Sequence, residues 1–208
     1  MNNLYIRKLN IDDLDKMIKV AKDKYKHGEM SKEKYLKWLN AHNTDFFEKY
    51  LEKMKQREIG QGEEDINGIN FYQYYLIEND EIIGTSSIRT NIECNDYFNN
   101  YSGHIGYIII PSKRKKGYGT FFLHLLLQKC KELGIKEVML VCKVDNFGSQ
   151  RVIENNLGSY IDTVLDPCEN EYYKRYNIDV EKSIDSFETK KSLKSKGTKL
   201  WKEDMQMR

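Results

Sequence analysis

No stretch of this chain approaches the roughly 18 consecutive apolar residues that a membrane-crossing helix requires. The opening residues, Met1 to Arg7, lack the apolar segment of a secretory signal. Cysteine is sparse. Cys94, Cys130, Cys142 and Cys168 form no Cys-x-x-Cys pair, which excludes a disulfide-stapled scaffold. His27, His42, His104 and His124 stand at none of the spacings that zinc sites use, so no metal centre is expected. A cytoplasmic protein is expected, since 208 residues can bury a core without staples. An excess of one charge is missing too: 34 basic side chains face 32 acidic ones. The balance is uneven, however. Residues 181–208 hold eight Lys and Arg against five Asp and Glu, a net +3 that leaves −1 for the body. A body of that charge is not a nucleic-acid surface.

What is present is a hydrophobic period that changes along the chain. Leu4 to Lys8 alternates weakly as a first strand. Asn10 caps a helical pattern carrying Leu14, Met17, Ile18 and Ala21, and Ser31 caps a second with Tyr35, Trp38 and Leu39. A third runs from Asp45 to Lys55, and the glycine-rich segment 60–68 is a loop. Phe71 to Glu78 and Glu81 to Asn91 form a hairpin turning at Asn79 and Asp80. After a polar connection over 92–103, His104 to Ile110 is a short strand stopped by Pro111. Helix 116–133 buries Phe122, Leu125, Leu126, Cys130 and Leu133, and Gly134 ends it. Val138 to Val144, a short helix opened by Asn146, Ser159 to Leu165 and Tyr172 to Val180 complete the pattern. The order predicts an α/β domain over 1–180 with a mixed sheet. A basic tail, 181–208, is expected to be mobile, with a docking helix near its end.

Chemistry concentrates between Ile108 and Phe122, where a strand runs through a basic, glycine-containing loop into a helix. The first N–H groups of a helix lack internal partners and carry partial positive charge. Gly117 and Gly119 withhold Cβ atoms, and Arg114, Lys115 and Lys116 add charge, so the loop reads as a pyrophosphate cradle. Phe122 stands where a dinucleotide fingerprint needs its third glycine, and no GxxxxGK[ST] run exists. A solvated basic turn ahead of a helix is the other reading of these residues alone.

Arg114-Lys-Lys-Gly117-Tyr-Gly119 fits the [Q/R]xxGx[G/A] signature, and over about residues 4–180 the chain resembles the GNAT family of N-acetyltransferases. Asp145-Asn146-Phe-Gly-Ser149, followed by Val152, Ile153, Glu154 and Gly158, resembles the family's second motif. The strand from His104, the hairpin end Ser87-Ile-Arg89 and Lys174-Arg175-Tyr176 resemble a poorly characterised bacterial branch. The resemblance implies a mixed, mostly antiparallel sheet flanked by helices, with strands splayed at the acetyl-CoA site. It implies that main-chain N–H groups of Arg114, Lys115, Lys116, Gly117, Tyr118, Gly119 and Thr120 bind the cofactor's pyrophosphate. Backbone groups of Tyr107, Ile108 and Ile109 would pair with the pantetheine amides, and one would meet the thioester oxygen as it becomes an oxyanion. Asn146, with Ser149 in the same motif, would hold the cofactor arm.

The implied reaction is direct acetyl transfer, in a ternary complex, to a primary amine of a small molecule or a protein. The ammonium must lose a proton, and the departing thiolate, with a solution pKa of about 8.5, is a site for one. Many relatives place a tyrosine seven residues after the helix-opening asparagine, where this chain has Ile153. Tyr160 or Tyr107 substitutes, or the thiolate leaves unprotonated. His104 is the candidate base, or else a half-buried histidine bonded to a carbonyl; Glu93 and Asp96 are alternatives. Tyr25, Trp38, Phe46, Phe47 and Tyr50 are candidate walls of the acceptor site, or core. The acids at 63–65, Glu93, Asp96, Asp162, Asp166, Glu169 and Glu171 suggest a cationic acceptor. The missing tyrosine raises an alternative, a catalytically weak CoA-binding sensor. Nucleic-acid binding through Lys113 to Lys116 is disfavoured, because the run abuts a helix start. A monomer or homodimer is expected.

Overall fold

The computed structural model describes residues 4–61 and 68–189. Strand β1 (Leu4–Arg7) enters helix α1 (Leu14–Lys26) through a capped turn. Asn10 Oδ1 accepts from the Asp12 N–H at 3.0 Å, and Asp13 Oδ2 accepts from the Asn10 N–H at 2.9 Å. Asp13 is buried, and Arg7 pairs with it at 2.6 Å. Helix α2 (Lys32–Leu39) starts at Ser31 as its cap predicts, and α3 (Phe46–Glu58) follows. The expected hairpin is β2 (Asn70–Glu78) and β3 (Glu81–Thr90). Its turn residues Asn79 and Asp80 take φ of +48° and +66°, the pair of left-handed residues that a two-residue primed turn requires. The chain continues as β4 (Ile105–Ile109), α4 (Tyr118–Glu132), β5 (Glu137–Lys143), α5 (Phe147–Asn155), β6 (Ser159–Asp166) and β7 (Glu171–Asp179).

The strands form two antiparallel sheets, β1-β2-β3-β4 and β5-β7-β6. An isolated bridge between Gly103 and Leu140 joins them, and the His104 N–H donates to Met139 O at 2.8 Å. This is the mixed α/β architecture with splayed strands that the family resemblance implies. The joint depends on Gly103, whose φ is +69° and ψ −170°. A Cβ there would stand 2.5 Å from Met139 O.

Leu76, Ile77, Ile83 and Ile88 from the hairpin meet Phe122, Leu123, Leu126 and Leu127 of α4, all fully buried. On α1, Met17, Val20 and Ala21 recur at helical spacing and are buried. Residues 180–189 form a sixth helix, α6. Val180, Ser183 and Ile184 are buried, Ser183 Oγ donates to Asn156 O at 2.8 Å, and the Phe187 ring stacks on His124 at 3.8 Å. Ordered structure therefore continues past the boundary expected at 180, because Val180, Ile184 and Phe187 share one helical face. The expected docking helix near the tail's end lies outside the described residues. Among the described residues no helix is long and apolar enough to cross a membrane.

Candidate functional site

The site begins with the phase of one ladder. The Ile110 N–H bonds Ile83 O at 3.0 Å, and the Arg89 N–H bonds His104 O at 2.7 Å. Between these bonds Gly106 faces Ser87 and Ile108 faces Thr85. Gly106 and Ile108 therefore turn their N–H and C=O to β3, and Ile105, Tyr107 and Ile109 turn theirs to the opposite edge. Among the described residues no named strand pairs with that edge. Ile109 O accepts from Arg114 Nε at 2.9 Å. The Tyr107 N–H and C=O and the Ile109 N–H are left along the splay. Ile108, the third expected backbone contact, is committed to β3, since alternation lends every second residue of a strand to each side.

The loop after β4 is held at two points. Lys113 Nζ reaches the buried Glu78 carboxylate at 2.8 Å, and the Tyr118 hydroxyl donates to the same group. Glu78 in turn holds the Lys113 ammonium above its ordinary pKa. Arg114 forks onto Glu29, 2.6 Å from Nη2 to Oε2, and keeps that carboxyl below its ordinary value. Lys115, at φ +60°, and Lys116 are exposed and pair with no acid among the described residues. A Glu78→Gln variant should lose about 2 kcal/mol, the scale of a hydrogen bond to a charged group. An unchanged urea midpoint would show that the anchor is dispensable.

Gly117, φ +82°, is the residue ahead of α4, and no side chain caps the helix's first turn. A Cβ at 117 would meet nothing within 4 Å. One at 119 would stand 3.0 Å from Val152 Cγ2. Gly117 thus leaves the loop open ahead of α4, whereas Gly119 allows α4 to approach α5. The Thr120 carbonyl accepts from Asn156 Nδ2 at 3.2 Å, which ties the two helices again. Asn146 caps α5, its Oδ1 accepting the Ser149 N–H at 3.1 Å.

On the face of the first sheet covered by α1 lies a cavity of about 480 Å³. Its floor includes Thr85, Ser87, Gly106 and Ile108, and its walls include Lys24, Trp38 and Tyr50. The Tyr50 and Tyr75 hydroxyls meet at 2.8 Å, and Tyr75 donates to Gln73 Oε1 at 2.8 Å. Trp38 and Tyr50 line this cavity. Phe47 is core, Phe46 packs edge-on against Trp38, and Tyr25 stacks on Tyr35. The acids expected around an acceptor do not line this cavity. Neither Glu93, Asp96, Asp162, Asp166, Glu169 nor Glu171 lines the cavity, and Asp162 forks onto Arg175 at 2.6 Å. The acids at 63–65 lie outside the described residues.

Of the candidate proton-transfer groups, His104 lies within electrostatic reach of Glu93, whereas Tyr160 stands apart on β6. His104 Nδ1 accepts the Met139 N–H at 3.0 Å, and burial lowers the imidazole's pKa. The ring is therefore neutral at pH 7 with its proton on Nε2, and its basic nitrogen is engaged at the sheet joint. Glu93 is exposed in the turn 92–94. Tyr160 is 55% exposed on β6, two strands from the splay, and bonds Thr163 at 2.9 Å. Ile153 is fully buried. Tyr107 differs from these: its hydroxyl is buried beside the Ser149 side chain. Burial pushes that phenol far above its ordinary pKa. Burial also raises the Cys142 thiol to about 11, consistent with an inert residue. Sequence reading missed Lys24 and Glu78. Lys24 follows Met17, Val20 and Ala21 at helical spacing, which was the available signal.

A family model described as an acetyltransferase (GNAT) domain matches residues 3–156. No curated protein matches the chain. Among solved structures, yncA from Salmonella typhimurium, described as an acetyltransferase and solved with acetyl-CoA, superposes with a TM-score of 0.57 at 13% identity. That match covers 86% of this chain and 95% of the other. Mycobacterium smegmatis RimJ, in complex with CoA-disulfide, gives 0.60 at 12% identity over 86% of this chain and 83% of its own. A ribosomal-protein-serine acetyltransferase assignment from Vibrio cholerae gives 0.55 at 15% identity over 85% and 93%. At these identities the likeness is one of fold.

Proposed function

The chain belongs to the GNAT acetyltransferase family, and from that premise we propose that it transfers the acetyl group of acetyl-CoA to a primary amine held in the cavity beneath α1. The observation that carries this reading is the open edge of β4, which runs from the uncapped start of α4 to the sheet joint. Acetyl-CoA supplies the activated acyl carbon. The amides of Gly117 to Thr120, with Lys115 and Lys116, would hold its pyrophosphate, a role that the uncapped first turn of α4 supports. The Tyr107 and Ile109 edge groups would pair with the amides of its arm. The Tyr107 N–H is the candidate donor to the carbonyl oxygen as charge develops there, a contribution of about 2.7–4 kcal/mol.

No carboxylate lines the cavity among the described residues, so an ammonium acceptor finds no ion partner there. The Lys24 charge instead favours the neutral amine, whose proton leaves through water. The Tyr107 hydroxyl can donate a hydrogen bond to the departing sulfur. Its pKa lies well above that of a thiol, so it stabilises the thiolate and keeps its own proton. The buried Ile153 favours a second reading, a CoA sensor without turnover.

Release of free CoA thiol across an amine panel tests the proposal. Turnover of any amine supports it, and acetyl-CoA binding with none supports the sensor. A Tyr107→Phe variant should lower kcat about 10- to 100-fold at unchanged acetyl-CoA affinity, the value of a hydrogen bond to a charged group. Unchanged kcat would remove Tyr107 from the reaction.

A further inference from the structure

Lys24 is the one basic side chain lining the cavity, and it faces no acid there among the described residues. It is half-buried on α1, and no ion pair involves it among the described residues. The acid whose charge it feels most, Glu29, is already held by the Arg114 fork. Desolvation without a counter-ion lowers its pKa. Such a cation is a cost to the free protein that a bound anion can offset.

A second observation concerns the floor. Arg89 follows Thr85 and Ser87 along the same face of β3 and is 7% exposed. Among the described residues no carboxylate pairs with it. Its Nη1 donates to Ser102 O, Ser102 Oγ and Gly103 O at 3.1, 2.8 and 2.6 Å. Its Nε has no partner, and Nη2 has only a 3.5 Å contact with Ser87 Oγ. A Cβ at position 106 would stand 2.7 Å from Nη2, so the guanidinium fills the space that Gly106 leaves beside the cavity floor. Burial lowers its pKa to about 10, still well above neutrality. Positive charge therefore stands on the cavity's wall at Lys24 and beside its floor at Arg89, and no acid lines the cavity among the described residues.

We propose that the acceptor bears a carboxylate as well as its amine, and that Lys24 binds this carboxylate while Arg89 contributes to the positive field of the floor. The inference rests on the acetyltransferase reading given above. A polyamine would bring further positive charge into a cavity that offers it no acid. An amino acid brings a charge that Lys24 can meet, and Thr85, Ser87 and Gln73 line the same cavity with polar groups for the carboxylate's remaining lone pairs.

The test uses matched pairs that differ by one carboxylate: phenylalanine and phenethylamine, histidine and histamine, arginine and agmatine. Binding of each to the CoA-saturated full chain is measured by calorimetry, and turnover by CoA release from acetyl-CoA. In at least one pair the carboxylate-bearing member should bind at least tenfold more tightly. Lys24→Met and Lys24→Gln should abolish that preference at unchanged acetyl-CoA affinity, and Lys24→Glu should reverse it. Preference for the decarboxylated members, or binding of neither member in every pair, overturns the inference. So does a Lys24→Met protein that loses acetyl-CoA affinity but keeps the pair preference, which would assign Lys24 to the cofactor's phosphates. Acetyl-CoA titration of the wild type separates the two levels. No acetyl-CoA binding sinks the acetyltransferase reading and this inference together, whereas binding combined with preference for decarboxylated amines sinks the inference alone.

Discussion

A Gly103→Ala variant should be at least about 3 kcal/mol less stable than the parent, the combined scale of a glycine-only backbone conformation and a steric clash. Gly103 sits at φ +69°, ψ −170°, a region that side-chain-bearing residues rarely enter. The added methyl would also stand 2.5 Å from Met139 O, a backbone atom with little freedom to withdraw. Three other connections converge on the same residue. Its N–H bonds Phe98 O at 2.8 Å, its C=O accepts from Arg89, and it bridges to Leu140. Relief of the clash must therefore displace the joint between the two sheets. Urea denaturation reads the effect as a fall in midpoint at constant slope. A loss below about 1 kcal/mol, the scale of an ordinary glycine substitution, would show that the joint is not set by this residue.

The second large effect concerns the start of α4. At a hundred times its Kd, acetyl-CoA should stabilise the native chain by about 2.7 kcal/mol, by mass action. A Gly117→Asp variant should cut this shift to about 0.4 kcal/mol at the same concentration and still fold. Aspartate tolerates the left-handed conformation better than most residues and is a good helix cap, and no atom lies within 4 Å of the added Cβ. Its carboxylate would stand where the pyrophosphate is proposed to lie. Two like charges at roughly 5 Å repel by about 3 kcal/mol at an effective dielectric of about 20, or about a hundredfold in affinity. Thermal denaturation with and without acetyl-CoA measures both quantities. A shift that survives undiminished in Gly117→Asp would place the pyrophosphate elsewhere.

The helices and the hairpin were legible in the sequence because local chemistry decides them. Asn10 and Ser31 cap where their side chains predict, and Asn79 and Asp80 turn as their tolerance of positive φ predicts. The basic loop between β4 and α4 was legible as a loop running into a helix start, but its division of roles was not. Gly119 looks identical to Gly117 in the motif, and only the approach of Val152 from α5 separates them. Lys113 and Lys116 look alike as well, until Glu78 arrives from 35 residues earlier. Long-range pairing also decided His104. A histidine opening a strand reads as a base, yet its free nitrogen is taken by the Met139 N–H. The continuation at 180–189 was hidden because abundant lysine and serine masked a three-residue apolar stripe.

The two anchors of the loop have a consequence for binding entropy. Lys113 is fastened to the hairpin through Glu78, and Arg114 is fastened to the α1–α2 connection through Glu29. The backbone between the end of β4 and the first turn of α4 is thereby constrained before any ligand arrives. A flexible loop would have to lose its conformational freedom on binding, and that loss would subtract from affinity. Here folding has already met it. A cofactor bound as proposed would encounter a preorganised concavity in which only the ends of Lys115 and Lys116 remain to be immobilised.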